Sequence, residues 1–72
     1  MPTTKVSIPG IHCDACAKLI KDVSSEYPQI AKADVDIDAK TVTLDHEPDF
    51  DFARWSEEIE SLDEKYKVHP LP

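Results

Sequence analysis

A chain of 72 residues is about half the size of a typical domain, which excludes a multidomain enzyme with separate cofactor and substrate folds. Its 40% apolar residues can fill one layer between a small sheet and one or two helices, and little more. Eight basic against fifteen acidic residues leave a formal net charge of -7, which repels a phosphate backbone and excludes nucleic acid from the expected partners.

Thr4-Lys5-Val6-Ser7-Ile8 alternates polar and apolar side chains with β-branched members, so it reads as a short strand that Pro9-Gly10 stops with a turn. From Asp14 to about Tyr27 the period is helical, with Ala15, Cys16, Leu19, Ile20 and Val23 on the core side and Lys18, Lys21, Asp22 and Ser25 outside. Pro28 ends it. Period two returns from Ile30 to Asp38, placing Ala33, Val35 and Ile37 inward and Lys32, Asp34, Asp36 and Asp38 outward. Asp38-Ala39-Lys40 turns the chain into Thr41-Val42-Thr43-Leu44-Asp45, which makes an antiparallel hairpin. His46-Glu47-Pro48-Asp49 breaks the pattern, and Phe52, Trp55, Ile59 and Leu62 then recur at steps of three and four on a second helix with its acids outward. Tyr66-Lys67-Val68 supplies a last short strand, after which Pro70 and Pro72 stop any ladder.

The order βαββαβ predicts an α+β fold of ferredoxin-like type, a four-stranded antiparallel sheet with both helices on one face. A right-handed crossover makes the first two strands parallel with the third between them. One sheet end then gathers the loop at Cys13, the Asp38 to Lys40 turn and the loop at Lys65 and Tyr66. His46 and His69 are expected at the opposite end, leaving His12 as the histidine close to the cysteines.

No stretch approaches the roughly 18 apolar residues of a membrane span, and Met1-Pro2-Thr3-Thr4-Lys5 lacks the apolar run of a secretory leader, so the expected location is cytoplasmic. Thiols stay reduced there, and a close cysteine pair reads as a metal or redox site before a crosslink. Cys13 lies in the loop and Cys16 in the first turn of the helix, a step that lets both sulfurs converge on one exposed point. The helix N-terminus lowers thiol pKa and favours an anionic bis-thiolate complex. Soft thiolates select Cu(I), whereas structural zinc takes four ligands and only two are visible. Zinc, thioredoxin-like exchange, an iron-sulfur cluster, or two cysteines used as small core residues are the other readings of a bare C-x-x-C.

Gly10-Ile11-His12-Cys13-Asp14-Ala15-Cys16 resembles the G-M-x-C-x-x-C signature of heavy-metal-associated domains, the family of copper chaperones and P-type ATPase amino-terminal domains. The likeness extends through Ala17-Lys18-Leu19-Ile20, the Val35-Asp36-Ile37 and Thr41-Val42-Thr43-Leu44 hairpin, and Ile59-Glu60-Ser61-Leu62 to Tyr66-Lys67-Val68. It implies one domain over residues 1–72 that is not an enzyme. In it Cu(I) is held by Cys13 and Cys16 and passed through shared thiolate ligation to a copper-transporting P-type ATPase, the only route to a membrane. The free protein is expected to be monomeric, with copper able to bridge a homodimer. The Met1 start and proline-rich end suggest a complete chaperone. Zinc or mercury cargo on the same fold, and a small thiol-disulfide redox protein, are the alternatives.

Two residues depart from the family pattern. Ile11 stands where the family has Met packed inward under the loop, and should fill that place. Lys65 precedes Tyr66 where bacterial members carry Gly, so either the backbone is strained there or the loop is built differently.

Tyr66 matches the position of a tyrosine in soluble bacterial chaperones, which makes it a cover for the metal or simply an aromatic cap on the sheet end. His12 is a third ligand, a proton donor to a departing thiolate, or an exposed loop residue. Asp14 is an acid of the first helical turn, or a hard ligand that would recruit zinc. Lys18, Lys65 and Lys21 can form a positive patch near the anionic complex, or an ordinary mixed surface. Glu57, Glu58, Glu60 and Glu64 read as a solvated helix face.

Overall fold

The structure, a computed structural model, describes residues 2–71. Met1 and Pro72, the ends of the domain expected over 1–72, lie outside the described residues. The elements follow in the order β1 (Thr3–Ser7), α1 (Asp14–Ser25), β2 (Ile30–Asp36), β3 (Thr41–His46), α2 (Phe52–Leu62) and β4 (His69–Pro70). The sheet order is β2-β3-β1-β4 with every neighbouring pair antiparallel, so β3 lies between β1 and β2 and the βαββαβ ferredoxin-like fold is present. No helix of the described residues is long and apolar enough to cross a membrane.

Alternation gives the sheet one buried and one wet face. Val6, Val42 and Leu44 are fully buried and meet Ile20, Trp55 and Ile59 of the two helices. The opposite face carries Lys5 opposite Thr43, and Thr43 opposite Asp34, and is polar throughout. In β2, Ala33 and Val35 are half-buried while Lys32, Asp34 and Asp36 are exposed, as the sequence pattern requires.

The face of α1 is rotated from the expected one. Cys16, Ala17, Ile20 and Ser24 are buried, whereas Ala15 is exposed and Leu19 keeps 41% of its surface. Ser24 is the reason that hydropathy misleads. Its hydroxyl donates to the Ile20 carbonyl at 2.8 Å and accepts the Trp55 indole N–H at 2.9 Å, so a polar side chain becomes a core residue that ties α1 to α2.

Two further boundaries move. β3 runs to His46, which is buried because both ring nitrogens are engaged, one 2.7 Å from the Thr4 hydroxyl and the other 2.8 Å from the Glu47 carbonyl. The last strand is His69–Pro70 and not Tyr66 to Val68. Pro70 is tolerated since it faces Val6, while the flanking Leu71 N–H donates to the Lys5 carbonyl at 2.9 Å; in an antiparallel ladder the residue between such bonding positions needs no N–H. His69 therefore pairs with Ser7 at the loop end of β1, correcting its expected place at the far end; His46, paired with Ile30, is at the far end.

Ser24→Ala removes the acceptor of a fully buried indole N–H, and a loss of about 1–3 kcal/mol is expected. Urea unfolding at equilibrium checks this; an unchanged midpoint would mean that the indole finds another partner.

Candidate metal centre

Cys13 and Cys16 meet because α1 begins between them. Cys13 is the N-cap residue, extended at φ -156° and ψ 168°, and its carbonyl accepts the Ala17 N–H at 3.2 Å. No side chain caps the helix, so the positive end of its dipole faces the sulfurs. The two Sγ atoms are 3.4 Å apart, both thiols are free, and Cys13 is half-buried where Cys16 is only 6% exposed.

The three connections expected at this sheet end do converge. Ile11 is fully buried in the core, where the family pattern expects a methionine to pack. Gly10 has no positive φ; its role is to leave room, because a Cβ there would overlap the Lys65 carbonyl oxygen and lie 2.8 Å from its carbon. Lys65 needs no left-handed backbone either. The loop is built on Asp63, whose side chain accepts the Lys65 N–H at 3.1 Å and whose carbonyl accepts the Tyr66 N–H at 3.1 Å.

That turn delivers Tyr66, 4% exposed, to Cys16. Hydrogen bonding by the Tyr66 hydroxyl is the main cause that brings the Cys16 thiol down to about 6; burial opposes it, and His12 and Cys13 lower it further. The same bond, with burial, pushes the phenol up to about 12, so Tyr66 keeps its proton and donates it.

His12 is exposed, with Nδ1 3.0 Å from the Gly10 carbonyl and 3.7 Å from Cys16 Sγ. A carbonyl can only accept, so Nδ1 carries the proton and points it towards both acceptors. His12, Cys13 and Cys16 thus offer three metal-ligating atoms within 4.8 Å of one another. Lys65 is exposed, and its ammonium lies 5.6 Å from the centroid of the Tyr66 ring, a cation-π distance that places it beside the centre through Tyr66. Asp14, Lys18 and Lys21 are exposed on α1. Sequence reasoning missed Lys40, treated only as a turn residue; its ammonium donates to the Ile11 carbonyl at 2.8 Å, a contact of 29 residues' separation that no local pattern announces.

The heavy-metal-associated domain profile matches residues 5–65, and the chain belongs to that family. None of the curated proteins matches the sequence significantly. Among solved structures, the N-terminal domain of a potential copper-translocating P-type ATPase from Bacillus subtilis, in the Cu(I)-loaded state, is 26% identical with a TM-score of 0.84, over 94% of this chain and 84% of that one. NmerA, the N-terminal domain of Tn501 mercuric reductase, is 25% identical with a TM-score of 0.80, over 96% and 97% of the two chains. The CopZ metallochaperone shares the fold, with a TM-score of 0.83 at 16% identity over 93% and 98%.

A thiol lowered on folding from 9.0 to about 6 adds stability that is complete above pH 9 and lost as pH falls through 6. Relative to Cys16→Ser, the metal-free protein should therefore gain stability between pH 6 and 9, read by urea unfolding across that window. Tyr66→Phe should raise the Cys16 titration, followed by thiolate absorbance, towards the ordinary value; an unmoved titration would remove Tyr66 from the centre.

Proposed function

We propose that this chain carries Cu(I) in the cytoplasm, held by Cys13 and Cys16, and delivers it to a copper-transporting P-type ATPase. The observation that carries this reading is the sulfur pair itself: two unbridged cysteines 3.4 Å apart at an uncapped helix N-terminus, with hydrogen bonding that brings the Cys16 thiol down to about 6. Two soft anionic donors suit a monovalent soft cation, and the helix end and the Tyr66 hydroxyl offset the negative charge of the complex. The likeness to a Cu(I)-loaded ATPase domain and to a metallochaperone supports the choice of cargo and partner.

Transfer follows from the unequal burial of the ligands. A thiolate of the partner attacks the bound Cu(I), the bond to the more exposed Cys13 breaks, and a second partner thiolate then replaces Cys16. Copper stays Cu(I), and each copper-sulfur bond lost here is replaced by one on the partner. Cys16, only 6% exposed and fixed in the first turn of α1, is the sulfur that leaves last. The chain is a monomer without metal, and copper can bridge two copies through the same thiolates.

A second reading is Zn(II) or Hg(II) cargo. The ring nitrogen of His12 near Cys16 favours zinc, which two cysteines leave short of ligands, and the likeness to a mercuric reductase domain favours mercury. For zinc, His12 would have to exchange its bond to Gly10 for the metal.

An anaerobic Cu(I) titration of the reduced protein against a chromophoric chelator, repeated with excess Zn(II), separates these. One-to-one binding that survives zinc is expected. Cys13→Ser and Cys16→Ser should each weaken it by more than the roughly 10–100-fold typical of losing a group that merely supports a ligand. Tight copper binding by Cys13→Ser, or ready replacement of copper by zinc, would reject the two-thiolate copper site.

A further inference from the structure

Among the described residues, Lys40 is the non-glycine residue with a left-handed backbone, at φ 58°. That conformation crowds a Cβ and is usually left to glycine or asparagine, so a lysine there points to a use for its side chain. The turn does not supply that use. Asp36 closes it by accepting the Ala39 N–H at 3.0 Å, a bond to which the ammonium contributes nothing.

Lys40 instead grips the neighbouring loop at two places. Its carbonyl accepts the Ile8 N–H at 2.8 Å, extending the pairing of β1 and β3 one step beyond Ser7 and Thr41. Its ammonium donates to the Ile11 carbonyl, and only this second contact depends on the side chain. The bond is charge-assisted and partly buried, both of which strengthen it over a solvated surface contact. Ile11 is then held at three points: its side chain is in the core, its N–H donates to the Ile8 carbonyl at 3.0 Å, and its carbonyl is taken by Lys40. The next peptides lead through His12 to Cys13.

We propose that Lys40 is a positioning residue of the metal centre: its ammonium fixes the Ile11 carbonyl, and through it the approach of Cys13 to Cys16. The proposal rests on the reading of those two cysteines as the metal ligands. The same ammonium brings positive charge into the loop that must accept an anionic bis-thiolate complex, a favourable interaction that a neutral side chain of equal length would not provide.

Lys40→Met, Lys40→Gly and Lys40→Arg test this by two measurements, amide hydrogen exchange on the metal-free protein and Cu(I) competition. In Lys40→Met and Lys40→Gly, exchange of the Ile11 N–H should quicken about tenfold, while the Ile8 N–H, bonded to the backbone of residue 40, keeps its rate. Cu(I) affinity should fall about three- to tenfold in both, and Lys40→Arg should restore exchange and affinity together. Lys40→Gly should have a higher thermal midpoint than Lys40→Met, because both lack the ammonium and glycine adopts the left-handed turn without strain. Wild-type exchange at Ile11 in Lys40→Met would overturn the proposal, as would faster exchange with unchanged copper affinity, or a general loss of fold that speeds both amides. Failure of the unaltered protein to hold Cu(I) is a distinct result. It would remove the ligand reading and the purpose of the clamp, while the exchange rates would still show whether the clamp exists.

Discussion

Gly10 and the Lys65 carbonyl lie too close for a methyl group to fit between them, and the arrangement of this sheet end depends on that approach. With only a hydrogen at Gly10, the loop after β1 can lie against the loop before β4. The turn on Asp63 then puts Tyr66 into the core beside Cys16, and Ile11 drops beneath the loop from the other side. The sulfurs are brought together by α1 alone, but what surrounds them is brought by this contact between segments 55 residues apart in the chain.

The thiolate sits on a molecule whose net charge is already -7. The lysines of α1 and of the loop before β4 do little to hold it: Lys18, Lys21 and Lys65 are all exposed. The groups that lower the Cys16 pKa are mainly hydrogen-bond donors, Tyr66 first, then His12 and Cys13, with a smaller coulombic contribution from His12. Oriented donors at contact distance are far less sensitive to salt than separated surface charges. An acidic protein can thus keep a thiolate at neutral pH without a basic pocket, leaving its surface free of the positive potential that would draw nucleic acid.

Much of this was legible in the sequence, and the misses have physical causes. The alternation of Val6, Ala33, Val35, Val42 and Leu44 and the Phe52 to Leu62 period reported the strands and α2, since one face of each is buried. The convergence of Cys13 and Cys16 was legible because their step across a helix start is a local property. The face of α1 was misread since Ser24 is made a core residue by Trp55, far along the chain. β4 was placed three residues early because a proline has no N–H to offer a ladder, although Pro70 occupies a position where the ladder asks for no donor. Lys40 escaped for the same reason as Ser24. Its partner, the Ile11 carbonyl, is a backbone atom common to every residue, and nothing in the sequence distinguishes it.

The two outer strands also govern how copies of the molecule can meet. β4 is two residues long and carries a proline, and β2 has a charged residue at every second position, Lys32, Asp34 and Asp36, with a register irregularity between Ile30 and Lys32. Neither edge is a good template for an additional strand, because one is short of donors and the other is charged and irregular. Association by sheet extension, the usual hazard of small open sheets, is therefore disfavoured along both margins. Contacts between copies are thus left to the helices, the polar sheet face and the loop ends, and not to the strand edges.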